Sequence, residues 1–301
     1  MVGDPVSMTE SLRSLGVSAR PGGNKLSPTL VAGRVPYLMS GALAVSAAAA
    51  AGLSLFFPRL LTGAPVATGC LRGTALVILL AALPVLAVAM SRTAGGSARG
   101  LVLWLGTLGY LLYQAVMFCF ATPLNNLFLS YVAYLGLAVW SIVVLLRATD
   151  LAGYGARLSS RLPVRFVAGF ALTVAALNTL AWLAKIVPAT FSSDPTTVLG
   201  DTGLLTNPVF VQDLAIWLPL LTTAALAARH REVWGVLVTG AMLAMFVLES
   251  LSIATDQWFG SRADPLSNAA SMSMVPVFTV VALLTALPLV AYCRNLTSLS
   301  E

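Results

Sequence analysis

Eight apolar runs of about twenty residues recur along this chain, and nothing else in it limits the fold as strongly. They fall at roughly 37–57, 70–90, 101–120, 126–146, 166–187, 208–228, 233–254 and 272–293. An α-helix of that length crosses the ~30 Å hydrocarbon core of a bilayer and satisfies its backbone N–H groups within itself. Strands of a membrane barrel would alternate apolar and polar residues, and these runs do not. Only 9% of the 301 residues are charged, against about 25% in soluble domains. The expected fold is all-α, a polytopic membrane bundle of about eight transmembrane helices.

Charge placement sets the expected orientation. Eight spans put both termini on one side. That side then carries Arg13, Arg20, Lys25, Arg34, Arg92, Arg99, Arg147, Arg157, Arg161, Arg165, Arg229, Arg231 and Arg294. The other side keeps Arg59, Arg72 and Arg262, with Lys185 near its edge. By the positive-inside rule both the N- and C-termini are cytoplasmic. The net charge of +6 is explained by this topology and does not point to nucleic acid. Fifteen arginines against two lysines, with abundant alanine, suggest a GC-rich bacterial source, hence the bacterial inner (cytoplasmic) membrane. Three units are expected: a disordered cytoplasmic tail over 1–34, a single transmembrane domain over 35–295, and a short cytoplasmic tail over 296–301. No alignment of the first four spans on the last four stands out by eye, so no repeat is assigned.

Two acids inside the apolar runs are the most informative residues. Asp213 precedes the charged turn Arg229-His230-Arg231-Glu232 by about as many residues as Glu249 follows it. At ~1.5 Å per residue both lie roughly 23 Å from that turn, level with each other in the far half of the membrane. Such groups are costly in lipid and ordinarily face a bundle interior or a water-filled cavity. Gln114 reaches the same depth, with Tyr110 and Tyr113 on its helical face. Asn178, Trp182 and Lys185 share one stripe of the fifth span, and Asp256 falls seven residues past Glu249. The candidate ligand-binding set is therefore Tyr110, Gln114, Asn178, Trp182, Lys185, Asp213, Glu249 and Asp256. Lys185 is expected to pair with Asp213 or Glu249, while Gln114 and Asn178 complete a pocket open to the outside.

Competing readings exist for most of these residues. Lys185 can snorkel to the headgroups. Asp213 can serve the start of a helix capped by Asn207 with Pro208 at its first position. The aromatic residues suit an interface belt. Glu249 has no capping role to explain it. Pro84, Pro219 and Pro288 each follow a leucine inside a span and should disturb helices two, six and eight. The loops after spans five and seven are long enough to fold over the bundle as a lid, and the basic loop 147–165 is expected to lie against anionic headgroups.

Several chemistries are disfavoured. Cys70, Cys119 and Cys293 have no paired spacing, so zinc, iron–sulfur and redox-motif readings lack support, and two buried thiols at Cys70 and Cys119 are preferred to a disulfide. The lone His230 lies across the membrane from the acids, which removes a Ser-His-Asp set and a His/Asp metal cage. Oxygen ligation of a divalent ion by Asp213, Glu249 and Asp256 is a weak signal. No cofactor and no catalytic residue is expected.

The stretch Gly106-Thr107-Leu108-Gly109-Tyr110-Leu111-Leu112-Tyr113-Gln114, running to Asn125-Asn126-Leu127-Phe128-Leu129, resembles a pattern that recurs in uncharacterised bacterial multi-pass membrane proteins. So does Pro208-Val209-Phe210-Val211-Gln212-Asp213-Leu214-Ala215. The resemblance spans about a quarter of the chain, implies no activity, and adds weight to Gln114 and Asp213.

Two classes of function follow. In one, an outward-facing polar pocket binds or transports a small molecule, an ion or a lipid headgroup. In the other, a non-catalytic membrane subunit or scaffold uses its polar centre to fix helix packing while its loops dock a membrane protein partner. An intramembrane enzyme is a weaker third, lacking a nucleophile–base pair. The bilayer is the one partner every reading requires.

Overall fold

The structure, a computed structural model, describes residues 29–296. Most of the tail expected over 1–34 and nearly all of the one over 296–301 lie outside the described residues. Eight helices are long and apolar enough to cross a membrane: α1 (Val35–Phe56), α2 (Pro65–Ala94), α3 (Ala98–Phe120), α4 (Phe128–Ala148), α5 (Val164–Thr190), α6 (Pro208–Arg229), α7 (Val233–Ala263) and α8 (Met274–Arg294). No β-strand occurs among the described residues, only two isolated bridges. The protein is thus an all-α, multi-pass integral membrane protein.

Local chemistry explains the helix boundaries. The Ser97 hydroxyl accepts the Gly100 N–H at 3.2 Å and starts α3. Asn207 accepts the Val209 N–H at 3.0 Å, with Pro208 in the first turn, and starts α6. Both are side-chain caps for otherwise orphaned N–H groups. Two helices outrun the sequence expectation: α2 has 30 residues and α7 has 31. Asp256, expected in a loop, is therefore helical and shares a face with Glu249. The lid-sized loop shortens accordingly to residues 264–273.

Inside α2 and α6 the helix widens to a π turn, at Ile78–Ala82 and at Asp213–Trp217. Each π turn is followed at once by a Leu-Pro step, Leu83-Pro84 and Leu218-Pro219. Proline has no N–H to close the regular ladder, and the wider turn absorbs the missing bond. Pro288 instead sits within a continuous α8, as Pro188 does within α5.

These coincidences belong to a larger one. The step of 135 residues that separates Gln114 from Glu249 also carries each π turn and proline of α2 onto its counterpart in α6. It carries Gly100 onto Gly235, and a Cβ on either would strike the preceding helix at equivalent atoms, Thr93 N and Ala89 O or Ala228 N and Ala224 O. It carries Gly96 at φ 83° onto Arg231 at φ 60°, so both tight turns use one left-handed residue in the same place. The packing repeats as well: α1 touches α2 and α4, α2 touches α3 and α3 touches α4, just as α5 touches α6 and α8, α6 touches α7 and α7 touches α8. The molecule is two four-helix halves with the same direction through the membrane. The repeat left unassigned on sequence is present.

α3 and α7, the equivalent third helices, meet at the centre and are the most enclosed of the eight. Where they cross, a Cβ on Gly106 would strike the carbonyl of its own counterpart, Ala241. The halves are not used equally: α2 lies along α7 in a long seam, whereas α6 touches α3 much less. Gly69 and Gly73 make that seam, since a Cβ on Gly73 would lie 2.6 Å from the backbone of Thr255 and Asp256. Small residues four apart permit such close approach in membranes.

One end of the bundle gathers the first and last described residues and the linker between halves. Val31 bridges Thr149, Leu158 bridges Leu296, and the Arg99 guanidinium donates to the Leu296 carbonyl at 2.9 Å. A short helix, Leu151–Gly155, lies between these contacts, capped by Asp150. Its Tyr154 hydroxyl bonds to that of Tyr292, which reaches the Val236 carbonyl at 2.8 Å; burial pushes the Tyr154 phenol above its ordinary range. We call this the basic end. At the far end, Ser267 donates to Asp201 at 2.8 Å and ties the two long loops together.

Candidate functional site

Along α7 the polar positions Glu249, Ser252 and Asp256 fall at i, i+3 and i+7, a single stripe of an α-helix. Each meets a polar group on a neighbouring helix. Gln114 of α3 donates its Nε2 to Glu249 Oε2 at 2.5 Å. The Tyr110 and Ser252 hydroxyls are 2.5 Å apart. Thr74 of α2 donates to both Asp256 carboxylate oxygens, at 3.0 and 3.1 Å, and Cys70 lies 3.5 Å from the Asp256 backbone carbonyl. Tyr110 and Gln114 are buried, whereas Glu249 and Asp256 keep part of their surface accessible.

Asp213 opens the π turn of α6 and holds a second cluster. Trp182 of α5 donates its indole N–H to Asp213 Oδ2 at 2.8 Å, its ring packs 5.0 Å from Phe210, and Tyr113 also interacts with the carboxyl. Tyr113 in turn lies 6.2 Å from Trp217. The Trp217 indole donates to Gln212 Oε1 at 3.1 Å, which leaves the buried Gln212 Nε2 with no partner among the described residues. Asp213 and Asp256 are both within electrostatic reach of Glu249. The level expected for Asp213 and Glu249 from residue counting is therefore also a neighbourhood.

The structure does not bring the remaining two expected residues into this group. Asn178 is exposed on α5 and donates to the Val174 carbonyl of its own helix at 3.0 Å. Lys185 is exposed too, and its ammonium lies 5.5 Å from the Trp182 ring centroid. It makes no ion pair with Asp213 or Glu249, so it meets the acid only through the indole between them. The pairing expected from shared depth fails because α5 presents Trp182, and not Lys185, toward α6.

Among the described residues none of the three acids faces a cation. Nor do three His, Cys, Asp or Glu side chains gather closely enough to hold a metal ion. Chemically, the centre offers carboxyls bonded to neutral donors, which can exchange a proton or accept the donors of a polar solute. Sequence reading passed over Thr74, Ser252 and Gln212. Ser252 was signalled by its three-residue spacing from Glu249, and Gln212 by standing beside Asp213. Thr74 carried no signal, because only the seam of α2 on α7 brings it to Asp256. The three cysteines are free thiols.

Comparison with protein-family models, with curated proteins and with solved structures finds no match.

Proposed function

We propose that this protein is a membrane transporter or binding protein for a small polar molecule or ion, with Glu249 as its exchanging group. The observation that carries this reading is the contact between Gln114 and Glu249. These equivalent residues of the two halves meet inside the membrane, and no cation neutralises the acid. Transporter folds built from repeats place their sites at the repeat interface near mid-membrane, beside helices interrupted at corresponding positions of the halves. Here those interruptions are the π turns of α2 and α6, and one of them begins with Asp213. The unpartnered Gln212 amide adds a donor that a solute can use.

In this reading the basic end faces the cytoplasm of a bacterial cell and the site is reached from the outside past the two tethered loops. The chain should be reconstituted in liposomes holding a pH-sensitive dye, under imposed proton, sodium and potassium gradients. Wild-type protein collapses at least one gradient, and Glu249→Gln does not. Wild-type vesicles that behave like protein-free ones under every gradient sink the proposal.

A second reading, the scaffold, draws on the α2–α7 seam. There Thr74 satisfies Asp256 with both oxygens bonded, an arrangement that fixes packing without needing a ligand. An intramembrane enzyme has less behind it, since the chain's one histidine, His230, stands at the basic end, away from the three acids.

A further inference from the structure

At the basic end, a cavity of about 610 Å³ opens between the start of α5 and the turn joining α6 to α7. Its polar wall is Arg165, Arg229, His230 and Arg231, and no carboxylate lines it. The guanidinium groups of Arg165 and Arg229 have no partner among the described residues. Arg229 complements the C-terminal dipole of α6, a role that one cation fills; the positive-inside rule accounts for basic residues at this end but not for three arginines lining one cavity.

Two further observations point into the same space. α5 is 27 residues long and its N-cap is Pro163, which has no side-chain acceptor; the Val164 N–H turns back to the Leu162 carbonyl at 2.8 Å, and the N–H groups of Arg165 and Phe166 are left for another partner. The turn itself is strained on behalf of an arginine. Arg231 has φ 60°, while the equivalent turn of the first half uses Gly96 at φ 83°. A side chain in that conformation is disfavoured. Arg231 donates from Nη2 to the Ser160 carbonyl at 3.0 Å and to that of Leu162, which lines the cavity, at 3.4 Å. In the first half the same turn reads Gly95-Gly96-Ser97, with no side chain at the position of Arg231.

We infer that this cavity binds a phosphate group, held by Arg165 and Arg229 together with the α5 N-terminus. Guanidinium forks and helix N-termini are matched to phosphate oxygens. The cavity sits where α5 enters and α6 leaves the apolar layer, so the phosphate belongs either to an anionic lipid headgroup or to a free phosphate compound. This inference is independent of the transport reading.

The test uses the full-length protein in an uncharged detergent, titrated separately with short-chain phosphatidylglycerol and with inorganic phosphate, and read by thermal stabilisation. Wild type binds at least one. The double variant Arg165→Ala/Arg229→Ala loses roughly tenfold or more in apparent affinity, as expected for lost charge-assisted hydrogen bonds. Arg294→Ala, a cation at the same end outside the cavity, binds as wild type. Arg165→Lys/Arg229→Lys guards against a folding defect, because it keeps the charge, removes the forks and falls between. Response to phosphatidylglycerol alone assigns the headgroup, and response to inorganic phosphate assigns a free phosphate ligand. No response to either probe, or equal binding by wild type and the alanine double variant, overturns the inference.

Discussion

Gln114 and Glu249 stand at the same place in two repeated halves, 135 residues apart, and their side chains meet at 2.5 Å. One half contributes a carboxamide and the other a carboxyl, so the repeat departs from symmetry at this contact. The carboxamide donates and the carboxyl accepts.

Glu249→Gln should therefore be tolerated by the fold, since an amide oxygen can still accept from Gln114. Gln114→Leu should not, because it strands the acid and costs about 1–2 kcal/mol in a membrane interior. Thermal unfolding in detergent distinguishes them. A lower melting temperature for Glu249→Gln than for Gln114→Leu contradicts the donor and acceptor assignment.

The seam of α2 on α7 makes a steric prediction. Gly73→Ala puts a methyl 2.6 Å from the backbone of Thr255 and Asp256, and neither side is a flexible side-chain end. Overpacking of this kind costs about 1–3 kcal/mol. Gly136→Ala meets nothing within 4 Å and should change stability by no more than about 0.5 kcal/mol. The pair is best compared by thermal denaturation in one detergent.

The exposed Asp194 supplies a pH prediction at the far end. The hydroxyl and the backbone N–H of Thr196 both donate to it and hold its carboxyl below the ordinary range. A depressed carboxyl stabilises the folded loop above its unfolded-state pKa and loses that contribution as pH falls through its folded value. Carboxyl-carbon NMR should record Asp194 titrating below a reference aspartate. In Thr196→Ala, which keeps the backbone donor, the midpoint should move part of the way back. No movement would mean the hydroxyl does not matter.

Orientation can be read by labelling. In a cysteine-free background, Leu205→Cys at the far end should react with a membrane-impermeant thiol reagent on intact cells. Arg161→Cys, at the basic end, should react only after lysis. Both positions are exposed. The reverse pattern turns the molecule over and places the arginine-lined cavity outside.

Sequence and structure divide the fold in a consistent way. The count and positions of the spans were legible because hydrophobic thickness fixes helix length. The repeat was written in the chain, in two Leu-Pro steps and two tightly packed glycines at one spacing, but apolar residues substitute freely for one another and hid it. Only the common π turns and the common tight turn made the register visible.

The candidate site follows the same division. A fixed rise per residue carries each side chain to a set depth, so the sequence alone determined that Asp213, Glu249 and Gln114 share a level inside the membrane. Azimuth is different: each residue turns the helix by about 100°, and packing against neighbours decides where that turn points. Tertiary structure alone decided that Gln114 faces Glu249, that Thr74 finds Asp256, and that Asn178 and Lys185 remain on the exposed side of α5.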